Sequence, residues 1–83
     1  MSIENWTLQE SRQYDRAMSM HRRAYDCDTF DIWLELARKL EVPHDAVYGV
    51  WDTAHLAKDA GMTKTLAFPL KGELLRHAQS QSC

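Results

Sequence analysis

The sequence predicts an all-α protein: one domain over residues 1–83, folded as a compact bundle of three to four short helices. Two prolines and three glycines leave long stretches uninterrupted for helix and supply too few turn formers for a β-sandwich. Apolar residues recur at three- and four-residue spacing along most of the chain, the pattern of helices with one buried face. Threonine or aspartate stands just ahead of the first two periodic runs, where a starting helix needs an acceptor for its free amides. A chain of 83 residues builds a single core. It buries about 60–65% of the surface its unfolded form exposes, which leaves little for a deep catalytic cleft.

The first helix is expected over 8–25. Thr7-Leu8-Gln9-Glu10 is a capping box, the threonine oxygen accepting from the first turn while the glutamate reaches back. Tyr14, Ala17, Met18, His21 and Tyr25 form a semi-apolar stripe with Arg12, Arg16, Arg22 and Arg23 around it. Ile3 and Trp6 precede the cap, placed to staple the helix start onto the core.

A second helix is expected over 29–41, capped by Asp28 or Thr29 and facing the core through Phe30, Trp33, Leu34, Ala37 and Leu40. Pro43 stops it, because the residue before a proline avoids the helical region. The same proline suits the first position of a third helix, 43–60, with Ala46, Val47, Val50, Trp51, Ala54 and Ala57 as its apolar stripe and Gly61 as its stop. Met62 to Thr65 reads as a polar connection. Pro69 is expected to open a last helix, 69–79, carrying Leu70, Leu74 and Leu75, with a frayed tail at 80–83.

Composition narrows the function. The longest apolar runs, such as Leu66-Ala67-Phe68, are far too short to span a bilayer. Residues 1–20 lack a basic start followed by an apolar block, so no signal peptide is expected and the cytoplasm is the expected compartment. Two cysteines, Cys27 and Cys83, do not make a disulfide framework. His21, His44, His55 and His77 are not paired at metal-ligand spacing, so no metal is expected, and His21 reads as a partly buried core histidine. Cys27 lies between Asp26 and Asp28, whose carboxylates raise a thiol pKa and make a poor nucleophile. No phosphate loop and no nucleophile elbow occurs. A non-enzymatic protein without a cofactor is therefore expected.

Charge is distributed unevenly. Residues 28–60 hold seven acids against Arg38, Lys39 and Lys58, a net of −4, while residues 61–83 carry a net of +2.

One segment carries a sharper signal. In Leu36-Ala37-Arg38-Lys39-Leu40-Glu41-Val42-Pro43-His44-Asp45-Ala46-Val47-Tyr48-Gly49-Val50, a small residue at 37 is followed by apolar residues at 40, 42, 47 and 50. Residues 34–50 thus resemble the helix-turn-helix family of DNA-binding domains. The resemblance implies that Ala37 lets two helices approach and that Leu40, Val42, Val47 and Val50 close the pair. Glu41 departs from the family, which most often places glycine there for a left-handed backbone. Glutamate takes that conformation at a cost of about 1 kcal/mol.

The resemblance also implies that the second helix of the pair enters a DNA groove with Pro43, His44, Asp45, Tyr48, Gly49 and Asp52 exposed. None of these is an arginine, lysine, asparagine or glutamine, the usual readers of guanine and adenine. Residues 41–60 carry a net −3, opposing phosphate. Two readings follow. In one, the protein is a small helix-turn-helix regulator, in the style of regulators of mobile elements, holding duplex DNA with Arg22, Arg23, Arg38, Lys39, His44 and Tyr48. In the other it is a helical protein-interaction module, an adaptor or inhibitor. It then presents Asp45, Tyr48, Asp52, His55, Leu56 and Asp59 to a basic protein surface. Either is compatible with a homodimer formed through the first or last helix.

Overall fold

The computed structural model describes residues 5–81. Five helices follow one another: α1 (Leu8–Asp26), α2 (Phe30–Lys39), α3 (His44–Asp59), α4 (Lys64–Ala67) and α5 (Lys71–Gln81). No strand occurs among the described residues. The capping box forms as the sequence requires: Glu10 N donates to Thr7 Oγ1 and Thr7 N to Glu10 Oε1, each at 3.1 Å. Of the two candidate caps for α2, Thr29 does the work, its Oγ1 accepting from Ile32 N at 3.3 Å.

Several boundaries differ from expectation. Pro43 does not begin α3; with ψ 136° it is still extended and serves as the cap, so the helix starts at His44. Residues 62–65 are not simply a polar connection. Thr63 Oγ1 accepts from Leu66 N at 3.2 Å and caps the single turn of α4, which stops short of Phe68 (φ −133°) because Pro69 disfavours helix there. Pro69 itself precedes the last helix rather than opening it. That helix runs to Gln81, so Ser80 and Gln81, assigned to the frayed tail, are helical. Its start is capped from afar, Lys71 N donating to Asp15 Oδ1 of α1 at 2.6 Å. Ile3, Cys83 and the rest of the expected tail lie outside the described residues.

Two corners of the same construction join α2 to α3 and α3 to α4. In the first, Glu41 N donates to Arg38 O at 3.2 Å and Val42 N to Ala37 O at 3.0 Å. In the second, Gly61 N donates to Lys58 O and Met62 N to Ala57 O, both at 3.0 Å. Both are Schellman motifs, which need a left-handed residue at the turn. Gly61 supplies it with φ 81°, and Glu41 adopts it with φ 57°.

The core comprises Ala24, Cys27, Trp33, Ala37, Val42, Val47, Val50, Ala54 and Phe68. Trp33 is fully buried, and its indole Nε1–H donates to Val47 O at 2.9 Å, tying α2 to α3. Ala37, 1% exposed, lies where these two helices meet. Trp51 is only half-buried, edge-on to Phe30 at 5.5 Å. On α1 the stripe residues Tyr14, Ala17, Met18, His21 and Tyr25 are half-buried, and the fully buried residue is Ala24, outside that stripe. Ala24 and Ala54 are both fully buried; their small side chains let α1 and α3 approach closely. His21 packs against Phe68 with ring centroids 5.0 Å apart, its Nδ1–H donating to Ala17 O at 2.7 Å.

Candidate interaction surface on the third helix

The inward face of α3 is set by Val47, Val50 and Ala54. Its outward face follows from helical geometry. Asp45, Asp52 and Asp59 repeat every seven residues, nearly two turns, so they form one row with steps of about 10.5 Å. All three are exposed. Between and beside them stand Tyr48 and Leu56, 59% and 69% exposed. Tyr48 is held in place by stacking on Phe30, with centroids 5.0 Å apart and planes inclined 17°.

No base lies in this row. Lys58, the one base between residues 41 and 60, turns toward the end of α1. Its Nζ donates to Tyr25 O at 3.3 Å and sits 5.3 Å from the Tyr25 ring centroid. His55, placed on this face by the sequence, also turns away from it. Its Nε2–H donates to Ala24 O at 3.1 Å, and its ring lies 3.8 Å from that of Trp51. His55 therefore belongs to the α1–α3 contact rather than to the outer face.

Gly49 lies within the same face. A glycine inside an exposed helix costs about 1 kcal/mol relative to alanine. Nothing inside the molecule asks for it: its φ is not positive, and a Cβ there would meet nothing within 4 Å. Gly49→Ala is expected to raise stability by about 1 kcal/mol, seen as a melting temperature roughly 4–8 °C higher. An unchanged or lower value would mean that the glycine serves the fold.

The bases divide into separate groups. Arg22 turns toward α5, its Nη1 pairing with Glu73 Oε1 at 3.3 Å in a partly buried contact. Arg12, Arg16 and Arg23 are exposed along one side of α1. Arg16 and Arg23 border a hollow of about 260 Å³ whose other walls are Ser19, Met20 and Leu40. Arg38 and Lys39 are exposed at the end of α2. Arg38, with His44 and Tyr48, rims a second hollow of about 310 Å³ between α2 and α3, floored by Leu34, Ala37, Val42 and Val47. Among the described residues, ion pairs join Arg22 to Glu73 and Lys64 to Asp26, and neither involves Arg12, Arg16, Arg23, Arg38 or Lys39. The hollow between α2 and α3, and the one that Arg16 borders, are not visible in the sequence, because both depend on which helices adjoin.

Cys27 is buried, its thiol donating to Arg23 O at 3.2 Å. Burial first, then the carboxylates of Asp26 and Asp28, push the thiol up from its ordinary 9.0. Tyr14 is likewise raised, by burial and then by Asp15 and Glu73. Both groups are neutral in the native state and ionise more readily once unfolded. Their contribution to stability is complete below the ordinary values and is lost as pH rises through the native ones. Stability is therefore expected to fall above about pH 9. In a Cys83→Ser chain, Cys27 should react with a disulfide reagent at pH 8 at least on the order of tenfold more slowly than after unfolding in urea. Equal rates would contradict this burial.

No described helix is long and apolar enough to cross a membrane. Compared with known proteins, the chain matches no protein-family model, no curated protein and no solved structure.

Proposed function

We propose that the protein is a non-enzymatic helical interaction module, an adaptor or inhibitor, that docks the outer face of α3 on a basic protein surface. The observation carrying this reading is the exposed row of Asp45, Asp52 and Asp59 with Tyr48 and Leu56 beside it and with Lys58 drawn off to α1. Aromatic and aliphatic side chains supply contact area in an interface, while charge of one sign selects and orients the partner. A duplex groove would bring phosphates against the same carboxylates, which opposes binding.

One observation favours the DNA-binding regulator. The α2–α3 corner has the left-handed residue and the alanine contact that a helix-turn-helix needs, and Arg38 and Lys39 at the end of α2 carry no acidic partner among the described residues. In that arrangement the first helix of the pair crosses the phosphate backbone.

A photo-crosslinking amino acid at position 48 separates the two. The module reading expects a protein adduct that disappears when Asp45, Asp52 and Asp59 are replaced by asparagine, and no such adduct from a control position at Gln9. Nuclease-sensitive adducts, together with binding of fluorescein-labelled random duplex at tens of micromolar in low salt, would replace it with the DNA reading.

A further inference from the structure

The acidic face of α3 has a counterpart on the same molecule. Along α1, Arg16 and Arg23 are seven residues apart, exposed, and without an acidic partner among the described residues. Their spacing equals that of Asp52 and Asp59 on α3, so two rows of charges with the same step of about 10.5 Å are present, one of each sign. Between the arginines lies the hollow walled by Met20 and Leu40. Between the aspartates stands Leu56, 69% exposed. One surface is an apolar knob flanked by acids, and the other an apolar hollow flanked by bases.

A chain cannot close this contact on itself, because both surfaces face outward while α1 and α3 already pack together through Ala24, Ala54 and His55. We propose that α3 receives a second copy of this chain, with Asp52 and Asp59 opposite the partner's Arg23 and Arg16 in one pairing sense or the other, and with Leu56 seated against Met20 and Leu40. The inference rests on the reading of α3 as a docking face and names its occupant. Gly49, a bare position one turn before Asp52 and two turns before Leu56, lets the backbone of the incoming helix approach α3. Every copy carries both surfaces. The contact therefore closes into a dimer if a two-fold axis relates the copies and extends into a chain of copies if none does.

Exposed charge rows act over a Debye length of about 10 Å at 0.1 M salt and about 3 Å at 1 M. Sedimentation velocity from micromolar protein to about 1 mM should show reversible self-association in low salt, weakened at least about tenfold near 1 M salt. Two reversed chains give the decisive comparison: Asp52→Arg with Asp59→Arg, and Arg16→Glu with Arg23→Glu. Each alone should sediment as a monomer, while an equimolar mixture should associate, since the basic α3 of one then faces the acidic α1 of the other. Circular dichroism establishes that both variants fold. Gly49→Leu, at an exposed position where a Cβ meets nothing within 4 Å, should fold, as circular dichroism will check, and lose association at least about tenfold.

A monomer at all concentrations in low salt overturns the proposal, as does association that survives in either reversed chain alone. The reading of α3 as a docking face is judged separately. If the native chain is monomeric and position 48 still yields a protein adduct that requires the aspartates, the second copy is the wrong occupant and the face is right. If neither is seen, both fall.

Discussion

Trp33→Ala is expected to remove a large share of the folding stability. The side chain is fully buried and is the largest such residue in the core, and truncating a buried tryptophan costs about 3–5 kcal/mol. A domain of this size has roughly 4–12 kcal/mol to lose. The effect is sharpened by position. The indole spans the contact between α2 and α3 and donates to Val47 O, so its removal loosens the pair that presents the outer face of α3. Near-ultraviolet circular dichroism should lose its aromatic signal while helical signal persists in part. Trp33→Phe, which keeps most of the volume but not the donor, should be far milder, since Val47 O still belongs to the helical ladder. A Trp33→Ala chain melting within a few degrees of the native one would place the centre of the core elsewhere.

The second large effect concerns charge alone. Replacing Asp45, Asp52 and Asp59 together with lysine changes the face by six units, since three exposed carboxylates become three ammonium groups. The fold should tolerate this, because exposed substitutions cost little. Affinity for a basic protein surface should disappear, and duplex affinity should rise above that of the native chain. Non-specific duplex binding lies at about 10⁻⁴–10⁻⁶ M at physiological salt, and its log–log slope with salt is about −0.9 for each phosphate neutralised. Fluorescence anisotropy with random duplex measures both. A lysine variant that folds and still ignores DNA would show that the α2–α3 corner does not present α3 to a groove. A native chain that already binds would show that the carboxylates are no barrier.

The α2–α3 corner was legible in the sequence because everything that determines it is local. Ala37, Leu40, Val42, Val47 and Val50 declare the corner by spacing, and Glu41 takes the left-handed conformation that the turn imposes at its position. The caps at Thr7 and Thr29 are legible for the same reason. What escaped the sequence is set by distant partners. Periodicity says that a helix has a buried face, not which neighbour covers it. His55 and Leu56 are adjacent in the chain, yet one reaches the Ala24 carbonyl and the other faces out. Arg22 resembles its neighbour Arg23 until Glu73, 51 residues later, pairs with it. Likewise, nothing near Lys71 announces a helix start, since its acceptor is Asp15 on α1. The α4 turn is the exception, its cap at Thr63 being local but the run behind it only four residues, too short to show a helical period.

The way α5 is fastened sets the order in which the molecule comes apart. None of residues 71–78 is buried, and the helix is linked to α1 through the Asp15 cap and the Arg22–Glu73 pair. Segments with few buried contacts open at a small fraction of the global unfolding free energy. The amides of α5 are thus expected to exchange with solvent before those around the fully buried Trp33. Each excursion also releases Arg22 from Glu73 and exposes one more base on α1. The positive charge that α1 presents is consequently expected to vary with time as well as with structure, larger when α5 is away and smaller when it is docked.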